Sequence, residues 1–189
     1  MRAIWAAAVS IVLFAALCSA ADSNVARTFS VTITQTSIRI NGVELRSGPK
    51  GGNGHTISLN AAKKVFGAPQ DTYMAGLGVS VYAWPGAGIR LQRGFRGSDK
   101  GKIFKSQVFF DDTSYKNEDR RFGKFSGHVY LTGLDITAET QFDSIRGELE
   151  KAGFVITKHP DVISATKGDI SIFTVGTTNK IERIEAWCR

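Results

Sequence analysis

The chain is poor in cysteine and proline, and it has a single long apolar run. It contains two cysteines, Cys18 and Cys188, and four prolines among 189 residues. Cys18 lies in an N-terminal segment that we expect to be removed on export, which leaves Cys188 without a partner in the same chain. An intramolecular disulfide is therefore excluded in the mature protein, and a fold of this length must be stabilised by its hydrophobic core.

The apolar run lies at the N-terminus, from Ile4 to Leu17. Arg2 precedes it, and the small residues Ser19–Ala21 follow it, so the segment has the three parts of a secretory signal. The run is short for a membrane span. Residues 1–20 are predicted to be a signal peptide, and no other segment is long and apolar enough to cross a bilayer. An exported chain without disulfides is more typical of a bacterial envelope than of a eukaryotic exterior, so we expect the mature protein in the periplasm.

Two stretches of the chain show the same order of structural signals. Ser37–Gly67 contains alternating residues, an Asn41-Gly42 turn signal, a returning strand and then an amphipathic helical pattern. Gly127–Phe154 contains a strand, a Gly turn and an amphipathic helical pattern in the same order. The sequence therefore predicts an α+β fold made of two tandem repeats, with the first in residues 27–116 and the second in residues 117–189.

Both predicted helices have recognisable start and stop signals. Ser58 is the expected N-cap of the first helix, and Gly67 is expected to end it. In the second helix, Thr140 and Asp143 have the spacing that resembles a capping box, and Gly153 is the expected end.

Three β-rich runs follow each predicted helix. They are Gly78–Trp84, Gly88–Arg93 and Lys102–Phe110 in the first copy, and Val162–Thr166, Asp169–Val175 and Lys180–Trp187 in the second. Short connections that contain Gly indicate antiparallel pairing, because parallel strands need long crossovers. Each copy is thus expected to be a strand or hairpin, one helix and a three-stranded antiparallel meander, with the helix packed on the sheet.

Positive charge exceeds negative charge, with 24 Lys and Arg against 17 Asp and Glu and a net charge of +7. The cations are densest between Arg90 and Lys105. Nucleic acid is not an expected partner for an exported protein, so we interpret this run as a basic hairpin tip that meets an acidic protein in the envelope. The alternative is a solvated turn that charge keeps soluble. The candidate partner-binding residues are Arg90, Arg93, Arg96, Lys100 and Lys102.

Residue patterns typical of catalysis or metal binding are absent from the sequence. His55, His128 and His159 are far apart, and none has a second ligand at metal-binding spacing. Neither a nucleophile-elbow motif nor a zinc-protease motif occurs. The paired carboxylates Asp111-Asp112 and Glu118-Asp119 lie in a mixed-charge linker, where a perturbing pocket is uncommon. We therefore expect no catalytic residue, no metal and no cofactor.

Two further features have a structural and a functional interpretation. Ser47–His55 holds several glycines just before a helix start, which favours a flexible connection, although Gly-rich backbone at such a place can also cradle an anion. Cys188 shares a strand face with Ile184 and Ala186, so a buried structural thiol is favoured over a reactive one.

The motif order resembles that of an uncharacterised family of bacterial periplasmic α+β domains. The residues that carry the resemblance are I-x-I-N-G at Ile38–Gly42, V-F-G-A-P at Val65–Pro69, G-I-R-L at Gly88–Leu91 and K-I-F-K-S-Q-V-F-F at Lys102–Phe110. The resemblance covers roughly residues 29–136 and implies a fold without catalytic residues.

A more distant likeness is to tandem-repeat modules such as the β-lactamase inhibitory protein, and to the small lipoprotein of the outer-membrane barrel assembly machine. In these proteins a helical element packs on an antiparallel sheet whose open face binds a protein. The likeness implies a binding role by analogy of fold.

These observations together predict a non-enzymatic periplasmic binding module that acts by protein–protein contact, for example as an inhibitor or a toxin-immunity protein. One alternative is an envelope-maintenance protein that contacts anionic lipid or an outer-membrane protein. The other is a hydrolase with an unrecognised site around His128 or His159.

Overall fold

The computed structural model describes residues 30–34, 38–47, 56–76, 78–94, 101–111 and 123–187. The predicted signal peptide, the Gly-rich segment before the first helix apart from Ser47, the expected boundary near Asn117 and the thiol of Cys188 all lie outside these residues. Within them, no helix combines the length and apolar character needed to cross a membrane.

The described residues form two helices and two β-sheets. Helix α1 spans Leu59–Phe66, helix α2 spans Phe142–Lys151, and Pro85–Ala87 forms a single 3-10 turn. The strands in chain order are β1 Ser30–Ile33, β2 Ile38–Ile40, β3 Val43–Glu44, β4 Arg46–Ser47, β5 Thr56–Ile57, β6 Asp71–Met74, β7 Val79–Trp84, β8 Ile89–Gly94, β9 Ile103–Phe109, β10 His128–Leu131, β11 Leu134–Ile136, β12 Val155–Lys158, β13 Ile163–Lys167, β14 Ile170–Thr174 and β15 Ile181–Trp187.

The small sheet has the strand order β11-β10-β1-β2-β3. Its central strand, β1, pairs in parallel with β10 and antiparallel with β2, so it joins strands from the two halves of the chain. Val31 and Ile33 on β1 and Val129 and Leu131 on β10 are all buried. These residues alternate with more exposed ones, as expected for a sheet with one buried face.

The large sheet has the order β12-β13-β14-β15-β9-β8-β7-β6, with β5 and β4 paired beside β9. All pairs along the main path are antiparallel, and the short connections predict this for the consecutive strands but not for the β9–β15 pair. Strands β6–β9 form one half of this sheet and β12–β15 form the other. The last strands of the two halves, β9 and β15, meet at its centre.

One hydrophobic core joins both sheets and both helices. It contains Leu91 and Ile184 from the large sheet, Val31 from the small sheet, Ala62 from α1 and Leu149 from α2. The helices and the small sheet therefore cover one face of the large sheet, which we call its inner face. The structure confirms the α+β class.

Helix α1 begins and ends as the sequence predicts. The Ser58 Oγ accepts a hydrogen bond of 3.1 Å from the backbone N–H of Ala61, which satisfies one donor of the first turn. Gly67 ends the helix at a φ of 79°, a conformation that glycine adopts without the steric cost of a side chain.

The capping box predicted for α2 is wrong. The N-cap is Gln141, and the Thr140 Oγ1 accepts from the backbone N–H of Thr137, 2.9 Å away, so this hydroxyl belongs to the preceding turn. Asn179, from the turn between β14 and β15, caps the helix instead. Its side-chain Oδ1 accepts from the N–H of Asp143 at 2.6 Å.

The prediction of three strands after each helix is also wrong, because each helix is followed by four. The missed strands are Asp71–Met74 and Val155–Lys158, which form the two edges of the large sheet. An edge strand pairs on one side only and is short, so its residues show little of the alternation that marks a half-buried strand. The other predicted runs after each helix are strands.

Candidate binding face on the large sheet

The face of the large sheet opposite the core, which we call the outer face, carries polar and aromatic side chains. Side chains alternate along each strand, so residues next to the inward-facing Leu91 and Ile184 point outward. One row of paired residues crosses all eight strands of the main path. It consists of Asp71, Ala83, Arg90, Gln107, Glu185, Ser171, Thr166 and Val155.

Glu185 is the centre of a buried polar network on this face and is only 4% exposed. Its Oε1 accepts from Nε2 of Gln107 at 2.6 Å and from Nε of Arg183 at 2.8 Å. Its Oε2 lies 2.7 Å from the Nζ of Lys105. Gln107 in turn accepts from Nε of Arg90 at 2.6 Å. A buried charge is tolerated when it is paired and hydrogen-bonded, and these contacts meet that condition.

Burial and charge act in opposite directions on the two ionisable groups at the centre. Burial tends to raise the pKa of Glu185, but hydrogen bonds from Lys105 and Arg183, together with their charges, outweigh it and hold the pKa below its usual value. Burial lowers the pKa of Lys105, and the single anion Glu185 does not offset burial and the nearby cations. The Glu185 carboxylate therefore accepts from two cations, Lys105 and Arg183, whereas the Lys105 ammonium has Glu185 as its one anionic partner in this network.

Each cation of the network also lies over an aromatic ring. The pairs are Arg90 over Phe109 at 5.1 Å, Lys105 over Trp187 at 4.3 Å and Arg183 over Phe173 at 4.2 Å. Such contacts are attractive because the negative face of the ring meets the positive charge. Trp187 and Phe173 are half-buried, so the rings and their cations form part of the surface.

The structure separates the three described residues of the predicted basic tip into two places. Arg90 is 8% exposed and belongs to the outer-face network, so it does not lie at a hairpin tip. Arg93 lies near the end of β8, and Lys102 directly precedes the start of β9. Both residues are half-buried. Arg96 and Lys100 lie outside the described residues.

The sequence did not single out Gln107 or Glu185 as site residues. The alternation of side chains along β15 does place Arg183 and Glu185 on the same side of the strand. This is the feature of the sequence from which part of the network could have been predicted. The hydrogen bond from Gln107 to Glu185 joins residues 78 positions apart and depends on the pairing of β9 with β15.

His128 and His159, the two histidines that the structure describes, are not part of this network. The Nδ1 of His128 is 2.9 Å from Oδ1 of Asp135, and the two side chains are 44% and 48% exposed on the small sheet. The His128 ring stacks on Tyr130, with centroids 6.0 Å apart. His159 is exposed in a turn, and His55 lies outside the described residues. The described residues contain no group of three or more potential metal ligands.

No family model, curated protein or solved structure matches this chain.

Proposed function

We propose that this protein is a non-enzymatic module of the bacterial envelope that binds a protein partner through the outer face of its large sheet. The observation that carries the proposal is the set of half-buried aromatic rings, Trp187 and Phe173, each with a cation held against it. Tryptophan, tyrosine and arginine are the residue types that contribute most to protein–protein affinity.

The geometry of the outer face favours binding because its long side chains are already ordered. Lys105 and Arg183 are both fixed by Glu185 in addition to their aromatic contacts. Ordering a long side chain on association costs free energy, and side chains that are fixed beforehand avoid much of that cost. The network therefore supports a preorganised surface.

The charge of the chain favours an acidic partner. The net charge is +7, and opposite charges speed the encounter of two proteins. An inhibitor or a toxin-immunity protein would bind in this way, because both act by direct contact with another protein. The N-terminal segment Met1–Ala21, with its secretory-signal pattern, supports action in the periplasm.

We also propose that the two halves are tandem copies of one unit, which doubles the width of the binding face. The strand orders support this. The large sheet reads β12-β13-β14-β15 and then β9-β8-β7-β6, so corresponding strands lie at equal distances from its centre. In the small sheet, hairpins β2-β3 and β10-β11 flank β1 on its two sides.

Local details of the backbone support the same proposal. The turn of the first hairpin has positive φ at Asn41 (49°) and Gly42 (77°), and the turn of the second has it at Thr132 (51°) and Gly133 (89°). The β8–β9 pair has an irregularity between Gln92 and Arg93, and the β14–β15 pair has one between Phe173 and Thr174. Beyond the irregularity in the first half, Arg93 of β8 pairs with Ile103 of β9. Beyond the irregularity in the second half, Thr174 of β14 pairs with Ile181 of β15. Each of these isoleucines directly follows a lysine, Lys102 in the first half and Lys180 in the second.

Site-specific photo-crosslinking in cells tests the proposed binding face. A photoreactive phenylalanine analogue at Ser171, half-buried on the outer face, is expected to give a discrete crosslinked protein species. The matched control carries the same analogue at the exposed Glu148 on α2 and is expected to give none. Equal crosslinking from both positions, or none from Ser171, would contradict the proposed binding face.

A second experiment separates a protein partner from an anionic surface. If the partner is a protein, Trp187→Ala should abolish the Ser171 crosslink, because a large central aromatic residue is lost. Arg146→Gln on α2 serves as the control and should leave it unchanged. Sedimentation of the mature protein with anionic vesicles, reversed by salt, would instead favour the envelope-maintenance role.

A further inference from the structure

Lys105 covers the ring of Trp187, and one carboxylate holds it there. The Nζ of Lys105 lies 4.3 Å from the centroid of the Trp187 ring and 2.7 Å from Oε2 of Glu185. The Lys105 side chain is 12% exposed, so its ammonium group lies close to the surface of the outer face. A lysine in such a position can turn its flexible stem and carry its charge into water without any change of the backbone.

The charges around Lys105 favour that movement once Glu185 is neutral. Arg183 on β15 and Arg90 on β8 both repel the Lys105 ammonium, and the Glu185 carboxylate opposes them. The uncharged Gln107 on β9 contributes a hydrogen bond to Glu185 and no charge. The position of Lys105 over the ring therefore depends on the negative charge of Glu185.

Two other strands place titratable or polar residues near this cluster. On β14, Ser171 pairs with Glu185 and carries no charge, and Asp169 lies just before the strand, where its backbone oxygen accepts from the N–H of Trp187 at 2.8 Å. On β6, the hydroxyl of Tyr73 accepts from NH1 of Arg90 at 3.3 Å. Asp169 is thus a second carboxylate residue beside Trp187, and it supplies a matched control.

The two cations that share Glu185 respond differently when its charge is lost. Arg183 keeps a second carboxylate, because its NH1 also lies 2.6 Å from Oε2 of Glu182. Lys105 forms a salt bridge with Glu185 and with no other described residue. A shielded cation without an anion is costly, so Lys105 is the group that we expect to leave.

We propose that Lys105 and Glu185 form an acid-sensitive cover over Trp187. When Oε2 of Glu185 takes up a proton from solvent, Lys105 moves into water and uncovers the indole ring. The fold is expected to survive this step, because a neutral carboxyl group still accepts from Gln107 and the backbone pairing of β9 with β15 is unaffected. The movement needs no partner. Its consequence, weaker binding of a protein at the outer face in acid, rests on the function proposed above.

The ionisation of Glu185 gives the direction of the pH dependence. Burial disfavours its charged form, but hydrogen bonds from Lys105 and Arg183 outweigh burial and hold the pKa of Glu185 below 4.5. The carboxylate is therefore charged at neutral pH, and Lys105 is expected to stay over Trp187 there. Uncovering of the ring is expected only as the pH falls below 4.5.

Nuclear magnetic resonance of the indole N–H groups tests the proposal in the mature protein. The chain after the predicted signal peptide contains two tryptophans, Trp84 and Trp187. Trp84 is buried, and its Nε1–H donates to the backbone oxygen of Gly67 at 3.1 Å, so its signal reports unfolding. Acid titration from neutral pH is expected to shift the Trp187 signal with a midpoint below 4.5 while the Trp84 signal keeps its folded position. Loss of both signals together, or no shift of the Trp187 signal, would overturn the proposal.

Three variants assign the shift to this cover. Lys105→Met keeps a flexible side chain against the ring without its charge and should remove the Trp187 titration. Glu185→Gln should place the Trp187 signal near its acid position at neutral pH and should not titrate. Asp169→Asn removes the other nearby carboxylate and should leave the titration unchanged. A Trp187 titration in Lys105→Met equal to that of the unchanged chain would overturn the proposal even if Glu185→Gln failed to fold. These measurements use no partner, so their outcome is independent of the Ser171 crosslink that tests the proposed binding face.

Discussion

The Nε2 of Gln107 donates a hydrogen bond of 2.6 Å to Oε1 of Glu185, across the line where the two halves of the large sheet meet. This bond connects β9 to β15 on the outer face. It places one carboxylate within reach of Lys105 and Arg183. The centre of the proposed binding face therefore coincides with the junction between the halves of the chain.

Replacement of Glu185 by Gln should be strongly destabilising. The variant leaves the half-buried Lys105 and Arg183 without their shared anion, although Arg183 keeps its contact with Glu182. Breaking a fully buried ion pair costs about 3 kcal/mol or more, so a loss of up to about 3 kcal/mol is expected here. The free energy of unfolding in urea at neutral pH measures the effect. The control is Glu150→Gln, which removes an exposed pair with Arg146 and should cost less than about 0.5 kcal/mol. Equal effects of both substitutions would contradict the structural role of Glu185.

Acid should remove the contribution of Glu185 to stability. Its pKa is held below the usual value of 4.5 in the folded protein, so the unfolded chain binds more protons in the pH range between the two values. The contribution of Glu185 to the free energy of unfolding is therefore fully present above pH 4.5, and it is lost as the pH falls through the folded-state pKa of this group. Urea unfolding at neutral and acid pH should show the difference between the unchanged chain and Glu185→Gln narrowing in acid. A difference that does not change with pH would refute the assignment.

Substitution of Gly123 by Ala should be more destabilising than substitution of an unobstructed turn glycine. Gly123 has a φ of 71°, and a Cβ built there would lie 1.6 Å from the backbone oxygen of Pro85. Relief of that overlap requires the two backbones to separate, so a loss of about 3 kcal/mol or more is expected. Gly42, with φ of 77° and nothing within 4 Å of the same position, is the control and should lose about 1 kcal/mol. Thermal unfolding of both variants measures the difference.

Removal of the Asn179 side chain should weaken the start of α2. Asn179→Ala leaves the N–H of Asp143 without its acceptor and should cost about 1 kcal/mol, the typical value for loss of a cap. Thr140→Ala should cost less at this helix end, because the Thr140 hydroxyl accepts from Thr137 instead. Hydrogen exchange of the Asp143 amide is the direct measurement. Faster exchange in Thr140→Ala than in Asn179→Ala would restore the capping box that the sequence predicts.

Local interactions explain which elements the sequence predicts correctly. Ser58 and Gly67 bound α1 through contacts within a few residues, and the Asn41-Gly42 turn needs only positive φ at two adjacent positions. The edge strands Asp71–Met74 and Val155–Lys158 escaped notice because their residues have neighbours on one side only. A cap supplied from a distant turn, as by Asn179, leaves no signal near the helix that it caps.

The sequence by itself determined the α+β class, the bounds of α1 and the antiparallel pairing of most strands, because each depends on periodicity, caps or short turns. The tertiary structure alone decided that Arg90 and Lys105 lie in a buried network around Glu185, while Arg93 lies outside it near the end of β8. Which side chains meet across a sheet depends on the register between strands, and here that register joins strands far apart in the chain. Burial then sets how strongly their charges interact, and no short stretch of sequence contains that information.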